Sequence, residues 1–305
     1  MKRWLVQLIA WLAMNLNIPN IIDMVFKRLG IPVKGGLATV IETSNRIVNG
    51  AGEKLGTKAV CVPGLNCYSC LGATGACPMG SIQHFIQTRH VPWFAAGSML
   101  AISGVVGRMP CGMLCPFGWL QDLLYKVKSF KVPLPYWTHY LKFFFLVVVA
   151  GVIVYAAGDV WFCKLCPAGI LGAGLPQVFL NLEGNPPPAG LVGWLFTTKL
   201  AILAVTLVLS IFTKRPFCRI CALGAVFALG NPVSLYRLRV DKANCNQCDL
   251  CYRVCPMGIK PYKHPQSTAC IRCLECTRCE LIDFKTVFKM PDAKKNILNR
   301  VSSKV

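Results

Sequence analysis

Residues 245–256 read Cys245-Asn-Gln-Cys248-Asp-Leu-Cys251-Tyr-Arg-Val-Cys255-Pro256. Residues 270–279 follow with Cys270-Ile-Arg-Cys273-Leu-Glu-Cys276-Thr-Arg-Cys279. Three thiolates separated by two residues each can wrap one face of an iron–sulfur cube, and the fourth cysteine of such a run crosses to the other cube. The spacing therefore expects Cys245, Cys248, Cys251 and Cys279 around one [4Fe–4S] cluster, and Cys270, Cys273, Cys276 and Cys255 around a second. The second run departs from the pattern at its end: its last gap is two residues, and Glu280 stands where Pro256 follows Cys255. Structural zinc is the alternative occupant, and the interleaving of eight cysteines disfavours it.

The rest of the chain is of another kind. Of its 305 residues 54% are apolar and only 15% charged, with 33 Lys+Arg against 12 Asp+Glu, a net charge of +21. In a soluble protein that balance would suggest nucleic acid. Here the basic residues flank long uncharged runs, as topology bias in a membrane protein requires, and no base-reading element accompanies them, so no nucleic-acid partner is expected. The 18 cysteines come in tight Cys-x2-Cys and Cys-x3-Cys pairs, many followed by proline, unlike a secreted disulfide framework. There is no haem Cys-x2-Cys-His site, P-loop, GxGxxG unit or Ser/His/Asp constellation. The composition describes a membrane metalloprotein.

Four apolar stretches are candidate spans. Val91–Gly107 is 17 residues without a charge; Tyr140–Gly158 carries Lys142 near its start, whose stem can snorkel; Leu191–Phe212 is interrupted only by Lys199. Trp4–Ile22 contains Asn15, Asn17 and Pro19 and reads as a signal anchor or an interfacial helix. Cys221–Leu235 is apolar but short, and reads as a half-helix. Arg108, Lys126, Lys128 and Lys131, with the strongly basic 214–305, place the middle loop and the carboxyl end in the cytoplasm, and 159–190 outside. Residues 23–90 would then also face outward, although they too are basic.

Four segments share one cadence: Cys77-Pro-Met-Gly-Ser-Ile-Gln, Cys115-Pro-Phe-Gly-Trp-Leu-Gln, Cys166-Pro-Ala-Gly-Ile-Leu-Gly and Cys221-Ala-Leu-Gly-Ala-Val-Phe. Cys255-Pro-Met-Gly repeats the tetrad. Proline turns the backbone away after a thiolate, and glycine allows close approach before a helix resumes. Upstream partners are Cys111, Cys163 and Cys218, and, for the first segment, Cys61, Cys67 and Cys70. If the repeats alternate between membrane faces, Cys111, Cys115, Cys218 and Cys221 converge on the cytoplasmic side around one cluster. Six cysteines fall on the outer side, where Cys70, Cys77, Cys163 and Cys166 are the favoured ligands and Cys61 and Cys67 the alternatives. Disulfides or buried thiols are the competing reading of these membrane cysteines.

The Cys-x3-Cys-Pro motif Cys111-Gly-Met-Leu-Cys115-Pro116, the related pair Cys218/Cys221 and the carboxyl run together resemble the membrane-bound polyferredoxins of the NapH and NosR type. The resemblance covers roughly residues 91–280. It implies an all-α integral membrane bundle of about four spans with a C-terminal α+β bacterial-type two-[4Fe–4S] ferredoxin domain, in a multi-pass protein of the cytoplasmic (inner) membrane. The segments are 1–90, a membrane-associated part with a Cys-rich motif; 91–235, the bundle; 236–284, the ferredoxin domain; and 285–305, a basic tail. Family members are associated with quinol oxidation feeding respiratory reductases, or with their maturation. The implied role is an electron-transfer subunit of an oxidoreductase complex, of the quinol dehydrogenase type. It would relay electrons between a quinone pool or outer partner and a cytoplasmic carrier or reductase. Partners would be other subunits of a respiratory or reductive complex, a cytoplasmic redox carrier and membrane lipid. Two other classes compete: a redox-sensing regulatory or maturation protein, and a thiol–disulfide exchanger.

Several polar residues are weighed against this frame. His84, His90 and His139 fall near membrane boundaries, where a quinone head group binds, although such histidines are more often interfacial. Asp122 can carry a proton or simply face solvent. Lys199 lies in a span, where a charge is costly and hence a functional candidate. The tail from Lys285 to Lys304 suits anionic lipid or an acidic partner.

Overall fold

In the computed structural model, residues 3–15, 61–67, 70, 73–180, 193–242 and 244–288 are described. Leu16–Ile22 of the first apolar stretch and most of the basic tail lie outside them.

Two helices are long and apolar enough to cross a membrane: α6 (Tyr136–Ala157, 22 residues) and α9 (Trp194–Phe212, 19 residues). At ~1.5 Å per residue both reach ~30 Å. α1 (Arg3–Met14) and α3 (Trp93–Val106) are apolar but shorter, so two of the four expected spans meet the length criterion within the described residues. α6 begins as a 3₁₀ turn and contains a π-helical stretch, Phe145–Val152.

Burial on these helices is inside-out. Leu100 and Val105 on α3, Val147 and Tyr155 on α6, and Val205 and Val208 on α9 are exposed, whereas Gln7, Ser103, Lys142, Thr206 and Ser210 are buried. A helix whose apolar side chains face outward while polar ones face its neighbours suits a lipid surround, not water. Lys142 departs from expectation. It does not snorkel: it is 0% exposed, and its Nζ donates to the Thr268 carbonyl at 2.6 Å.

Short helices alternate with the long ones. α2 (Pro78–Gln87) precedes α3; α4 (Met109–Met113) and α5 (Pro116–Tyr125) follow it. α7 (Trp161–Leu165) and α8 (167–180, π-helical over Ile170–Gly174) follow α6. α10 (Ala222–Leu229) follows α9 and is buried at nearly every position, the half-helix that the short Cys221–Leu235 stretch implies. It crosses α3 so closely that a Cβ on Gly230 would collide with Ser103.

The carboxyl unit is small. β1 (Tyr236–Val240) pairs antiparallel with β2 (Ile282–Thr286), Leu238 opposite Phe284. Beneath them Leu238, Cys251, Tyr262, Cys276 and Ile282 form a core with α11 (Leu250–Val254) and a 3₁₀ turn at Glu275–Arg278. This unit docks on the inner end of α3. Leu235 N–H donates to Gly104 O, and the Arg272 guanidinium ties Val106 O to Ser234, Tyr236 and Asn231. α3 ends at Gly107 with φ +60°, where a Cβ would strike Asn231 and the Arg272 guanidinium. Only glycine satisfies both demands.

Candidate metal centres

The Cys-Pro tetrads are structurally one corner. Cys77, Cys115, Cys166 and Cys221 each cap a helix with φ between −64° and −73° and ψ between 115° and 127°. The first three are followed by proline at N1, which needs no N–H partner there. Cys255 and Cys279 adopt the same conformation, φ −72°, ψ 119° and φ −78°, ψ 121°, so Glu280 in place of proline leaves the corner intact. A capping thiol faces the free N–H groups of the first turn. The N–H of Gly118 meets Cys115, that of Gly169 meets Cys166, that of Gly224 meets Cys221, and that of Met79 meets Cys77.

The corners associate in pairs, second with fourth and first with third. Cys111, Cys115, Cys218 and Cys221 line one cavity of about 360 Å³, the quartet expected from the sequence. Two arginines, each three residues before a cysteine, brace it reciprocally. Arg108 donates to Cys218 O at 2.6 Å and Arg215 to Cys111 O at 3.1 Å. Each guanidinium also lies against the glycine of the opposite corner, 2.7 Å from a Cβ built on Gly224 and 3.2 Å from one on Gly118. Asp122 is not on a solvated face: it binds Arg215 through both oxygens at 2.7 and 2.5 Å and Arg3 at 2.6 Å.

The outer group assembles likewise, with one change of membership. Cys77 is within electrostatic reach of Cys163 and Cys166, and both of these of Cys67. A Cβ on Gly80 would lie 3.9 Å from Cys163 Sγ, and one on Gly169 3.7 Å from Cys67 Sγ. Cys70, favoured by spacing, turns its thiol to Asn15 Oδ1 at 3.4 Å, and Cys61 turns to Ser81 and Ser98. Beside Cys67, the buried amide of Asn66 donates to Met14 O at 3.1 Å and Gly75 O at 2.8 Å. That clamp fixes the loop from which Cys67 meets the third corner. Lys199 lies within reach of Cys163.

The sequence reading also separates the two groups by the bilayer. Here both belong to one core, with Cys77, Cys111 and Cys166 packed around Cys115 and Cys221, and Cys77 feels Cys221. A ten-residue α2 or α5 spans only ~15 Å, about half the hydrocarbon thickness, so each corner opens inside the bundle.

In the carboxyl unit Cys245, Cys248, Cys251 and Cys279 line a cavity of about 320 Å³, and Cys248 is exposed. Cys276 is in reach of Cys255, Cys270 and Cys273, so both sets assemble as the spacing expects. The two loops are backbone copies: the residues flanking the middle cysteine, Gln247 and Asp249 in one and Arg272 and Leu274 in the other, all have φ between 48° and 61°. Cys270, Cys273 and Cys255 pack against Cys218 and Cys111, and Gly112 leaves no room for a Cβ beside Ile271 O and Cys273. Burial pushes the Cys270 thiol up to about 12, so it binds metal only by giving up its proton.

The occupant's chemistry can be tested against the charges. Among the described residues no group of three or more His, Cys, Asp or Glu closes on a single ion; the thiols come together in fours. Arg108, Arg215, Arg219, Arg272 and Lys142 are all at most 4% exposed. Of these five, only Arg215 has a carboxylate partner among the described residues, and Arg108 Nε and Arg219 Nε have no hydrogen-bond partner. An uncompensated buried cation costs several kcal/mol. A thiolate-ligated iron–sulfur cluster is anionic, so the donor set and the surplus positive charge both fit it. His139 is 3% exposed, against the Tyr136 ring, and does not face a head-group belt; His84 and His90 are exposed.

Sequence reasoning passed over Arg108, Arg215, Gln83 and Gln121. Each had a signal, a fixed offset from a repeat cysteine: three before for the arginines, six after for the glutamines.

A family described as "4Fe-4S binding domain" matches residues 90–135, 138–181 and 187–239. Each match holds one apolar helix, one cysteine pair and the short helix that follows the second cysteine of the pair. The uncharacterized protein MJ0750 of Methanocaldococcus jannaschii is 31% identical over 229 residues, 70% of this chain and 87% of the relative. The regulatory protein NosR of Stutzerimonas stutzeri is 28% identical over 177 residues, 54% of this chain but 22% of NosR. The putative electron transport protein YccM of Escherichia coli K12 is 24% identical over 217 residues, 65% of this chain and 56% of YccM. No solved structure matches. With the cluster-binding family recurring on three of its four corners and such relatives on either side, the chain belongs to the [4Fe–4S] membrane polyferredoxins of the NapH and NosR type.

Proposed function

We propose that the chain relays electrons through four [4Fe–4S] clusters held in sequence. Cys67, Cys77, Cys163 and Cys166 hold the first, and Cys111, Cys115, Cys218 and Cys221 the second. Cys255, Cys270, Cys273 and Cys276 hold the third, and Cys245, Cys248, Cys251 and Cys279 the fourth. The observation that carries this is contiguity. Cys77 reaches Cys221, Cys111 and Cys218 pack on Cys255, Cys270 and Cys273, and Cys276 shares a core with Cys251, Cys245 and Cys279. Each bound cluster would accept and release one electron. The chain's part is to exclude water from the first three and to offset the charge of the second and third with Arg108, Arg215, Arg219, Arg272 and Lys142.

The inside-out burial of α1, α3, α6 and α9 supports about four spans in the cytoplasmic membrane, and the basic carboxyl unit supports a cytoplasmic orientation for it. The electron source is then a quinol or an outer partner subunit on the side of Cys67, and the acceptor a cytoplasmic carrier or reductase at Cys248. The name of YccM supports a role in electron transport, while that of NosR, a regulatory protein, keeps the redox-sensing class in view.

Iron and acid-labile sulfide per chain test the reading, on anaerobically purified protein in detergent with EPR of the reduced state. About sixteen irons are expected, four per cube. About eight would confine clusters to the carboxyl unit and return the membrane cysteines to disulfide or structural roles.

A further inference from the structure

Gln83 and Gln121 lie six residues after Cys77 and Cys115, on α2 and α5, and both are 0% exposed. Their surroundings are copies of one another. Gln83 Oε1 accepts from the Phe162 N–H at 3.1 Å, and Gln121 Oε1 from the Phe217 N–H at 3.2 Å. These backbone donors fix which way each amide is turned, because only the oxygen can accept. Nε2 is thereby aimed at the first cysteine of the partner corner: Gln83 at Cys163 Sγ, 3.1 Å away, and Gln121 at Cys218 Sγ, 3.7 Å away. The second amide hydrogen serves the carbonyl four residues back, Met79 O at 3.2 Å and Phe117 O at 3.3 Å. Every polar hydrogen of both amides has a use, and in each case one of those uses is a sulfur.

We propose that Gln83 and Gln121 are positioning residues that donate N–H···S hydrogen bonds to the cluster thiolates Cys163 and Cys218 and so raise the reduction potentials of the two membrane centres. This rests on the reading of those cysteines as cluster ligands. Reduction adds negative charge that spreads onto the ligating sulfurs, and a donor aimed at a sulfur stabilises the reduced form more than the oxidised one. Space-filling alone would need a side chain of this volume but no donor. The same residue at the same offset, fixed by the same kind of backbone N–H, is used at both centres. Gln87, on the same helix as Gln83, instead points outward to Gly158 O.

The test uses the full chain, anaerobically purified in detergent. Protein carrying ¹⁵N in its glutamine side-chain amides should show ¹⁵N modulation in pulsed EPR of two reduced clusters. In redox titrations, Gln121→Met and Gln83→Met should each shift one cluster's midpoint to more negative potential with iron content unchanged. Gln87→Met should shift none. Retained clusters with unshifted midpoints in both methionine variants would overturn the proposal. So would about sixteen irons without ¹⁵N coupling in the unaltered chain, a result that needs no variant to fold. About eight irons would overturn the four-cluster reading itself.

Discussion

The two membrane quartets are built from the same part used twice, and they differ in what stands behind the sulfurs. Around Cys111, Cys115, Cys218 and Cys221, two guanidiniums at 1% exposure cross from one corner to the other, and one of them is locked to a carboxylate. Around Cys67, Cys77, Cys163 and Cys166 the corresponding space holds sulfur itself: Gly80 faces Cys163 and Gly169 faces Cys67. The nearest described cations there are Lys199, within reach of Cys163, and Lys164, which pairs with Asp159 at roughly a third exposure on each side. One corner-and-helix unit therefore fixes where thiolates go, and the residues that fill its glycine notch fix the charge they see. The inner centre should be the more tightly held and the easier to reduce.

The largest effect distinguishes members of a quartet from bystanders. Cys221→Ala and Cys67→Ala are each expected to cost one cluster, about four irons of about sixteen. Cys70→Ala, which loses a contact to Asn15, and Cys61→Ala should keep the full complement. Iron analysis of the four variants decides it. Loss of four irons in Cys70→Ala with none in Cys67→Ala would reverse the outer membership and weaken the likeness between the two quartets.

Next come the charges. Arg215→Met strips Asp122 of a partner bonded at both oxygens and leaves the carboxylate with Arg3 alone. Breaking a buried pair from one side costs ~3 kcal/mol or more. Arg215→Lys should recover little of it, because an ammonium cannot hold Asp122 twice and reach Cys111 O as well. Lys164→Met, at an exposed pair in the outer region, should cost under about 1 kcal/mol. Thermal unfolding in detergent compares them, and similar losses would mean that the inner brace contributes no more than a surface pair.

These contrasts also mark what the sequence could convey. Cysteine spacing within a run is local geometry, so it made the carboxyl sets and the single pairs legible; the inner quartet joins two pairs about a hundred residues apart and was grouped by the alternation of the repeats across the membrane. Spacing favoured Cys70 over Cys61 and Cys67, and it could not show that this loop is held by Asn66 reaching Met14, 52 residues away. Lys142 next to three phenylalanines looks like a residue that snorkels. Its acceptor, Thr268, is 126 residues distant, and no periodicity encodes that. Half-helices were legible as short apolar stretches, but not that they bring the two quartets into one core. The arginines and glutamines lay in between: their offsets are visible once the four segments are aligned, and their meaning appears only when the corners pair.

The smallest effect probes the glycine notch itself. Gly224 and Gly169 occupy the same position, three residues after a corner cysteine and in the first turn of a helix, where alanine is otherwise favoured over glycine by up to ~1 kcal/mol. At Gly169 a methyl group would make ordinary contacts at 3.7 Å with Cys163 O and Cys67 Sγ, so Gly169→Ala should be neutral or slightly stabilising. At Gly224 it would lie 2.7 Å from Arg108 Nη2. That group is the far end of a long side chain, and its hydrogen bonds to Cys218 O, Thr268 O and Ala269 O hold it in place. Gly224→Ala should therefore cost ~1–3 kcal/mol, the usual range for overpacking, and perturb the EPR signal of the inner cluster while Gly169→Ala leaves the outer one intact. Equal tolerance at both positions would mean that Arg108 is free to move, and that the inner centre is no better braced than the outer.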